Sequence, residues 1–165
     1  MAEFWDVYDI NGNKLNKTIQ RDGKVLLQTG EYHMGSAVFI TDEKDNFLIQ
    51  QRSFSKKLLP GKWAITGGSA VAGENAEQCA IREVKEELGI KLTSADLKFL
   101  MTNIRNDRHV IINLFLARIP KNTKITIQQE ELEQAKWVSR QELIGMHNKE
   151  EFYQPLLHEI LEKIR

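Results

Sequence analysis

Three carboxylates stand out, Glu83, Glu86 and Glu87, in the run Arg82-Glu83-Val84-Lys85-Glu86-Glu87-Leu88. On a helix each residue advances by about 100°. With Glu83 at zero, Glu87 lies about 40° to one side and Glu86 about 60° to the other, so all three share a face. Ala80, Ile81, Val84 and Leu88 gather on a different, apolar face. Carboxylates this close repel one another. A hard divalent cation removes the repulsion, and oxygen ligands suit magnesium or, as an alternative, manganese. Arg82 precedes Glu86 by one helical turn and can pair with it, orienting a carboxylate without occupying a metal position. Gly67 and Gly68 precede the helix, where their backbone carbonyls can approach a metal without side-chain obstruction. Glutamates on a helix are also the pattern of a solvated face, and this cluster alone does not decide between the two.

Other reactive residue types carry less. His33, His109, His147 and His158 have no ligand-like spacing. Cys79 sits one turn before Glu83 and reads as a small helix residue rather than a nucleophile. Lys56, Lys57 and Lys62 form a cationic loop, either solvated or facing phosphate. Lys62 of this loop, and Arg52 and Trp63 on either side of it, are the expected substrate-binding residues. Phe4, Trp5 and Trp63 are flat enough to stack on a ring, although core or edge packing is the commoner use of such residues.

The elements that must position these groups follow from pattern. Residues 3–10 and 15–21 read as strands around the turn Asn11-Gly12-Asn13. A loop over 21–31 follows. Residues 32–41 and 46–52 read as a strand pair joined by Asp42-Glu43-Lys44-Asp45. Residues 53–62 are loop, and 63–66 a short strand running into Gly67-Gly68. Residues 75–88 favour helix, stopped by Gly89. Residues 97–104 and 110–119 read as another strand pair, and 134–138 as a further strand. Residues 140–146 and 151–164 read as helices, the last with an apolar stripe of Leu156, Leu157, Ile160, Leu161 and Ile164. Strands with few helices predict an α+β fold, a mixed sheet between helices.

The chain has 165 residues, which favours one domain. Lys+Arg and Asp+Glu are both 23, so no global positive field exists to hold a nucleic-acid polymer. One cysteine excludes an internal disulfide. The acidic start lacks the basic and apolar regions of a signal peptide. The longest apolar stretch, over 110–119, is broken by Asn113 and Arg118 and is too short to span a membrane. The expectation is a cytoplasmic protein.

Gly68, then Glu74, then Arg82-Glu83-Val84-Lys85-Glu86-Glu87-Leu88-Gly89-Ile90 matches the Nudix box in full, and the segment 68–90 therefore resembles the Nudix hydrolase superfamily. The strands around it, and Trp137-Val138 before a Glu-Leu helix, are similar to the same family, extending the resemblance over about 32–146. It implies an α/β/α sandwich with a mixed sheet, preceded by a β-hairpin extension over 1–31 and followed by a C-terminal helix over 147–165. It implies hydrolysis of a diphosphate linkage in a nucleoside diphosphate joined to another moiety, or in a related small substrate. By position, Glu83, Glu86 and Glu87 would ligate magnesium, helped by the Gly67 carbonyl. Family members take their general base from the box or from a glutamate outside it. Here the choices are Glu83, Glu131 and its neighbour Glu130. Gly68, Glu74 and Arg82 would support the geometry. The hairpin and C-terminal helix offer surfaces for a homodimer.

The N-terminal Trp5-Asp6-Val7-Tyr8-Asp9 with Asn11-Gly12 resembles a subgroup related to isopentenyl-diphosphate isomerases. That resemblance raises the isomerase as a rival function, and a non-catalytic Nudix-like binding module is a third class. The isomerase uses a cysteine just before the box, where this chain has Trp63-Ala-Ile-Thr-Gly-Gly-Ser. A binding module usually loses box carboxylates, and here all are present.

Overall fold

Side-chain alternation on adjacent strands divides the core of the computed structural model, which describes residues 1–164, into two halves. A hairpin of β1 (Phe4–Tyr8) and β2 (Lys14–Gln20) comes first. Then follow β3 (His33–Thr41), β4 (Phe47–Arg52), β5 (Trp63–Ala64), β6 (Thr66–Ser69) and α1 (Ala76–Leu88). The chain continues through β7 (Leu97–Arg105), β8 (Val110–Arg118), β9 (Leu132–Val138), α2 (Arg140–Asn148) and α3 (Leu157–Lys163). The seven-stranded sheet runs β5-β4-β3-β8-β7, with β6 added to β3 and β9 to β4. β3 and β8 are parallel, in register from His33↔Val110 to Thr41↔Arg118, while the other pairings are antiparallel. The sheet is therefore mixed.

Val38 and Ile40 of β3, Leu48 of β4 and Phe115 of β8 face α1, meeting Ala80, Val84 and Leu88. Phe39, Phe47, Ile49 and Leu114, one residue out of phase, face Leu143 of α2 and Leu157 and Ile160 of α3. The period of two along each strand thus gives an α/β/α sandwich. Leu88 is 1% exposed. Truncating such a residue to alanine costs about 2–5 kcal/mol, which indicates how firmly packing holds the helix bearing the carboxylates. Asn75 caps that helix reciprocally with Gln78, and Gly89, at φ 68°, ends it in the left-handed region.

The strand pair expected over 32–41 and 46–52 forms, through Ile40↔Leu48 and Thr41↔Phe47 next to the turn. Beyond that turn β3 pairs with β6 and β8, and β4 with β5 and β9. Two expectations change. The short strand expected over 63–66 is two strands: β5 pairs with β4, and β6 with β3. The last helix begins at Leu157 rather than at residue 151. Pro155 has no N–H and biases Gln154 away from helix, and Phe152 instead bridges to Trp63. No described helix is long and apolar enough to cross a membrane.

Candidate active site

Close approach of backbone to side chain sets the site. A Cβ on Gly68 would fall 2.3 Å from Glu83 Oε1, so only glycine lets β6 lie against that carboxylate. A Cβ on Gly67 would fall 2.5 Å from the Ser36 carbonyl of the neighbouring strand. These two glycines bring the strand end under the acidic face of α1.

Arg82 ties loop to helix. Its Nε and Nη2 donate to the two oxygens of Glu74 at 2.7 and 3.0 Å, and Nη2 also donates to the Ser69 carbonyl at 3.0 Å. Nη1 donates to Glu83 Oε1 at 2.8 Å and Glu86 Oε2 at 3.1 Å. The expected Arg82–Glu86 pair is present, and Arg82 takes Glu83 as well.

Glu87 is 5% exposed. Its Oε2 accepts from Gln50 Nε2 at 2.7 Å and from the Gly67 N–H at 3.3 Å. Burial pushes its carboxyl up to about 8; the charges of Glu83 and Glu131 add to this, and the two hydrogen bonds oppose it. Burial likewise raises Glu83, against the pull of Arg82. Glu86 has a 52% exposed side chain and is free to turn.

These groups open on a cavity of about 670 Å³ that also contains Glu131, Arg21, Arg52, Lys56 and Lys57. Lys56 pairs with Glu131, and the Glu131 carbonyl accepts from the Ser53 N–H at 2.8 Å. Glu130 is exposed and does not line the cavity, so the two neighbouring glutamates separate. Arg52 lines the cavity while its Nε donates to the Leu58 carbonyl at 3.0 Å, holding the cationic loop.

Two expected substrate-binding residues lie elsewhere. Lys62 donates to the Glu150 carbonyl, and Trp63 carries the Lys136 ammonium 4.4 Å from its ring centroid. Both border a separate groove with Glu150 and Glu151. Trp63 lies opposite Gln51 on β4, and that pairing turns this segment away from the carboxylates.

A second cavity of about 350 Å³ adjoins the first and shares Arg21, Leu58, Gly67, Gly68 and Ser69 with it. Trp5 of the hairpin forms part of its wall, stacked on His33 with centroids 3.9 Å apart. Burial pushes His33 down to about 4, so its ring is neutral at pH 7. Cys79 is fully buried and lines neither cavity, and burial pushes its thiol up to about 12.

Among the described residues, no three His, Cys, Asp or Glu side chains already converge as they would around a bound metal ion. Arg82 and Gln50 engage the carboxylates instead. The donor set is nevertheless all oxygen, and the absence of a Cβ at Gly68 lets the Glu83 carboxylate lie against the strand end beside the Gly67 backbone. The residues present therefore fit a hard divalent cation, provided Glu86 turns from Arg82.

The sequence profile of the NUDIX domain matches residues 31–160. This chain belongs to the NUDIX family. An uncharacterised Nudix hydrolase of Listeria monocytogenes is 34% identical over 155 residues, covering 91% of this chain and 88% of that protein. An isopentenyl-diphosphate Delta-isomerase of Dinoroseobacter shibae is 33% identical over 122 residues, covering 70% of this chain and 69% of that one. A crystal structure of a Deinococcus radiodurans protein superposes with a TM-score of 0.78 at 18% identity, over 99% of this chain and 100% of that one. The Nudix segment begins at residue 31, so the hairpin that supplies Trp5 and Arg21 lies outside the matched region.

Sequence reasoning missed Gln50, Thr66 and Arg21. Gln50 had a signal: it stands two residues after Leu48 and so shares the face of β4 that looks at α1, an amide where an apolar residue is the default. Arg21 had none, because only the fold of the hairpin brings it to the cavity.

Proposed function

We propose that this Nudix enzyme is a divalent-metal-dependent hydrolase of a diphosphate linkage in a small substrate, with nucleoside diphosphate derivatives as the leading class. The observation that carries the reading is the meeting of Glu83, Glu86 and Glu87 with Glu131 at one cavity, facing Arg21, Arg52, Lys56 and Lys57. Acids alone would repel a diphosphate, and cations alone would bind it without activating water. Glu83, Glu86, Glu87 and the Gly67 carbonyl would hold magnesium, with manganese as the alternative. When bound, the ion neutralises phosphoryl charge and lowers the pKa of water.

The chain's own residues do the rest. Arg21, Arg52, Lys56 and Lys57 bind phosphoryl oxygens. Lys56 turns from Glu131 to the substrate, leaving the Glu131 carboxylate to accept a proton from the attacking water. Glu83 is the alternative base, but it is held by Arg82. Arg82 and Glu74 keep loop and helix in register. The adjoining cavity receives the moiety attached to the diphosphate. The partner is thus a small anion rather than a nucleic-acid polymer.

The isomerase relative supplies a rival reading, in which isopentenyl diphosphate is turned over without cleavage. The thiol that this chemistry employs has no counterpart at the cavity, since Cys79 is buried and protonated. The test is a magnesium-dependent screen over nucleoside diphosphate derivatives and isopentenyl diphosphate, with Glu87→Gln as control. Phosphate-containing products from wild type alone are expected. Isomerised isopentenyl diphosphate without cleavage would replace this reading with the rival.

A further inference from the structure

We infer that Gln50 is a positioning residue for Glu87, itself set by Thr66, and that this pair determines how tightly the site takes a divalent cation. The inference rests on Glu87 being a metal ligand. Thr66 Oγ1 donates to Gln50 Oε1 at 2.9 Å, and Gln50 Nε2 donates to Glu87 Oε2 at 2.7 Å. Gln50 and Thr66 are each 2% exposed. The three residues come from β4, β6 and α1, so the relay joins both strands to the helix that carries the carboxylates.

Direction matters in this relay. A buried amide rotated by half a turn would put its carbonyl oxygen against the carboxylate and its NH2 against the hydroxyl. The Glu87 carboxylate, which accepts from the NH2 and would repel the amide oxygen, sets this direction, and the Thr66 hydroxyl completes it by donating to Oε1. The Gly67 N–H reaches the same carboxylate oxygen, at 3.3 Å. Glu87 Oε2 therefore has its partners within the protein. Oε1 accepts no hydrogen bond from any described residue, and Glu87 lines the cavity, so Oε1 is the oxygen left for a cation. Partners that hold a ligating carboxylate commonly change metal affinity or activity by about 10–100-fold when removed. Gln50 shares the α1-facing side of β4 with Leu48, where a buried apolar side chain would fill the space without needing partners.

The test is Mn2+ binding to the full chain by calorimetry, with no substrate present, alongside kcat and thermal denaturation. Gln50→Met keeps length and removes both polar atoms, and Thr66→Val keeps shape and removes the hydroxyl. Gln50→Met is expected to weaken Mn2+ binding by about 10-fold or more, and Thr66→Val by a smaller factor. Because Thr66 acts through Gln50, the double variant should bind no more weakly than Gln50→Met alone. Folded variants with wild-type Mn2+ affinity would overturn the proposal, whatever their thermal stability. Additive losses would overturn the relay. If Gln50→Met does not fold, the isosteric Thr66→Val decides by the same affinity readout. Glu87→Gln separates the two levels: wild-type affinity in that variant would sink the metal-site reading itself, whereas its loss beside an unaffected Gln50→Met would sink only the positioning role.

Discussion

Replacing Glu87 by glutamine in the metal-free protein should stabilise it, and the gain should depend on pH in a defined way. The Glu87 carboxyl is pushed up to about 8 by burial, from an ordinary 4.5. Below pH 4.5 the group is protonated whether the chain is folded or not, and its stabilising contribution is fully present. As pH rises from 4.5 toward 8, the unfolded chain releases the proton and the folded chain keeps it, so stability falls. At about 1.4 kcal/mol per pH unit, the full interval corresponds to roughly 5 kcal/mol. Glutamine cannot titrate, so Glu87→Gln escapes this loss. The assay is urea denaturation followed by tryptophan fluorescence, in chelator, from pH 5 to 8.5. The two proteins should lie close together at pH 5, with the variant ahead by several kcal/mol at pH 8.5. Saturating magnesium should reverse the order at pH 8.5, because a cation binds only the ionised carboxylate. A difference that stays constant across pH in chelator would refute the argument that Glu87 is held protonated by burial.

Other expectations follow from individual contacts. Gly68→Ala should keep the fold but lower kcat at least about 10-fold, since the new methyl must displace the Glu83 carboxylate 2.3 Å away; steady-state kinetics and circular dichroism read the two effects. Glu131→Gln should lower kcat by about 100-fold or more, while Glu130→Gln, exposed and outside the cavity, should stay within about twofold. Equal effects from the two would remove Glu131 from the chemistry. Cys79→Ala should leave turnover within about twofold, and iodoacetamide should modify Cys79 only after denaturation, because the buried thiol is pushed up to about 12. Rapid alkylation of the folded protein would contradict its placement.

The carboxylate cluster was legible because helical spacing and the box placed Glu83, Glu86 and Glu87 on one face, and α1 bears this out. The sandwich was legible in outline from strand and helix patterns. The strand pairs over 32–41/46–52 and 97–104/110–119 were legible as neighbours in sequence, but the parallel β3–β8 pairing and the β4–β9 pairing were not, because period-two patterning fixes which face a residue takes but not which edge is paired. Glu130 and Glu131 part only in three dimensions, Glu131 lining the cavity and Glu130 not, since adjacent residues in a loop leave in directions that spacing does not encode. Lys62 and Trp63 sit at the cationic loop in sequence, yet the pairing of β5 with β4 carries them to another groove. Gln50 is visible only as the first polar residue after Phe47-Leu48-Ile49, and its role depends on Thr66 and Glu87, sixteen and thirty-seven residues away.

The central claim is that water, activated at the carboxylate cavity, cleaves a diphosphate linkage. Turnover in 18O-labelled water with magnesium, followed by mass spectrometry of the products, tests it most directly. One labelled oxygen in a phosphate-containing product is predicted for wild type, with no labelled product from Glu87→Gln. Product formed without incorporation of label, or label appearing equally in Glu87→Gln, would contradict the account.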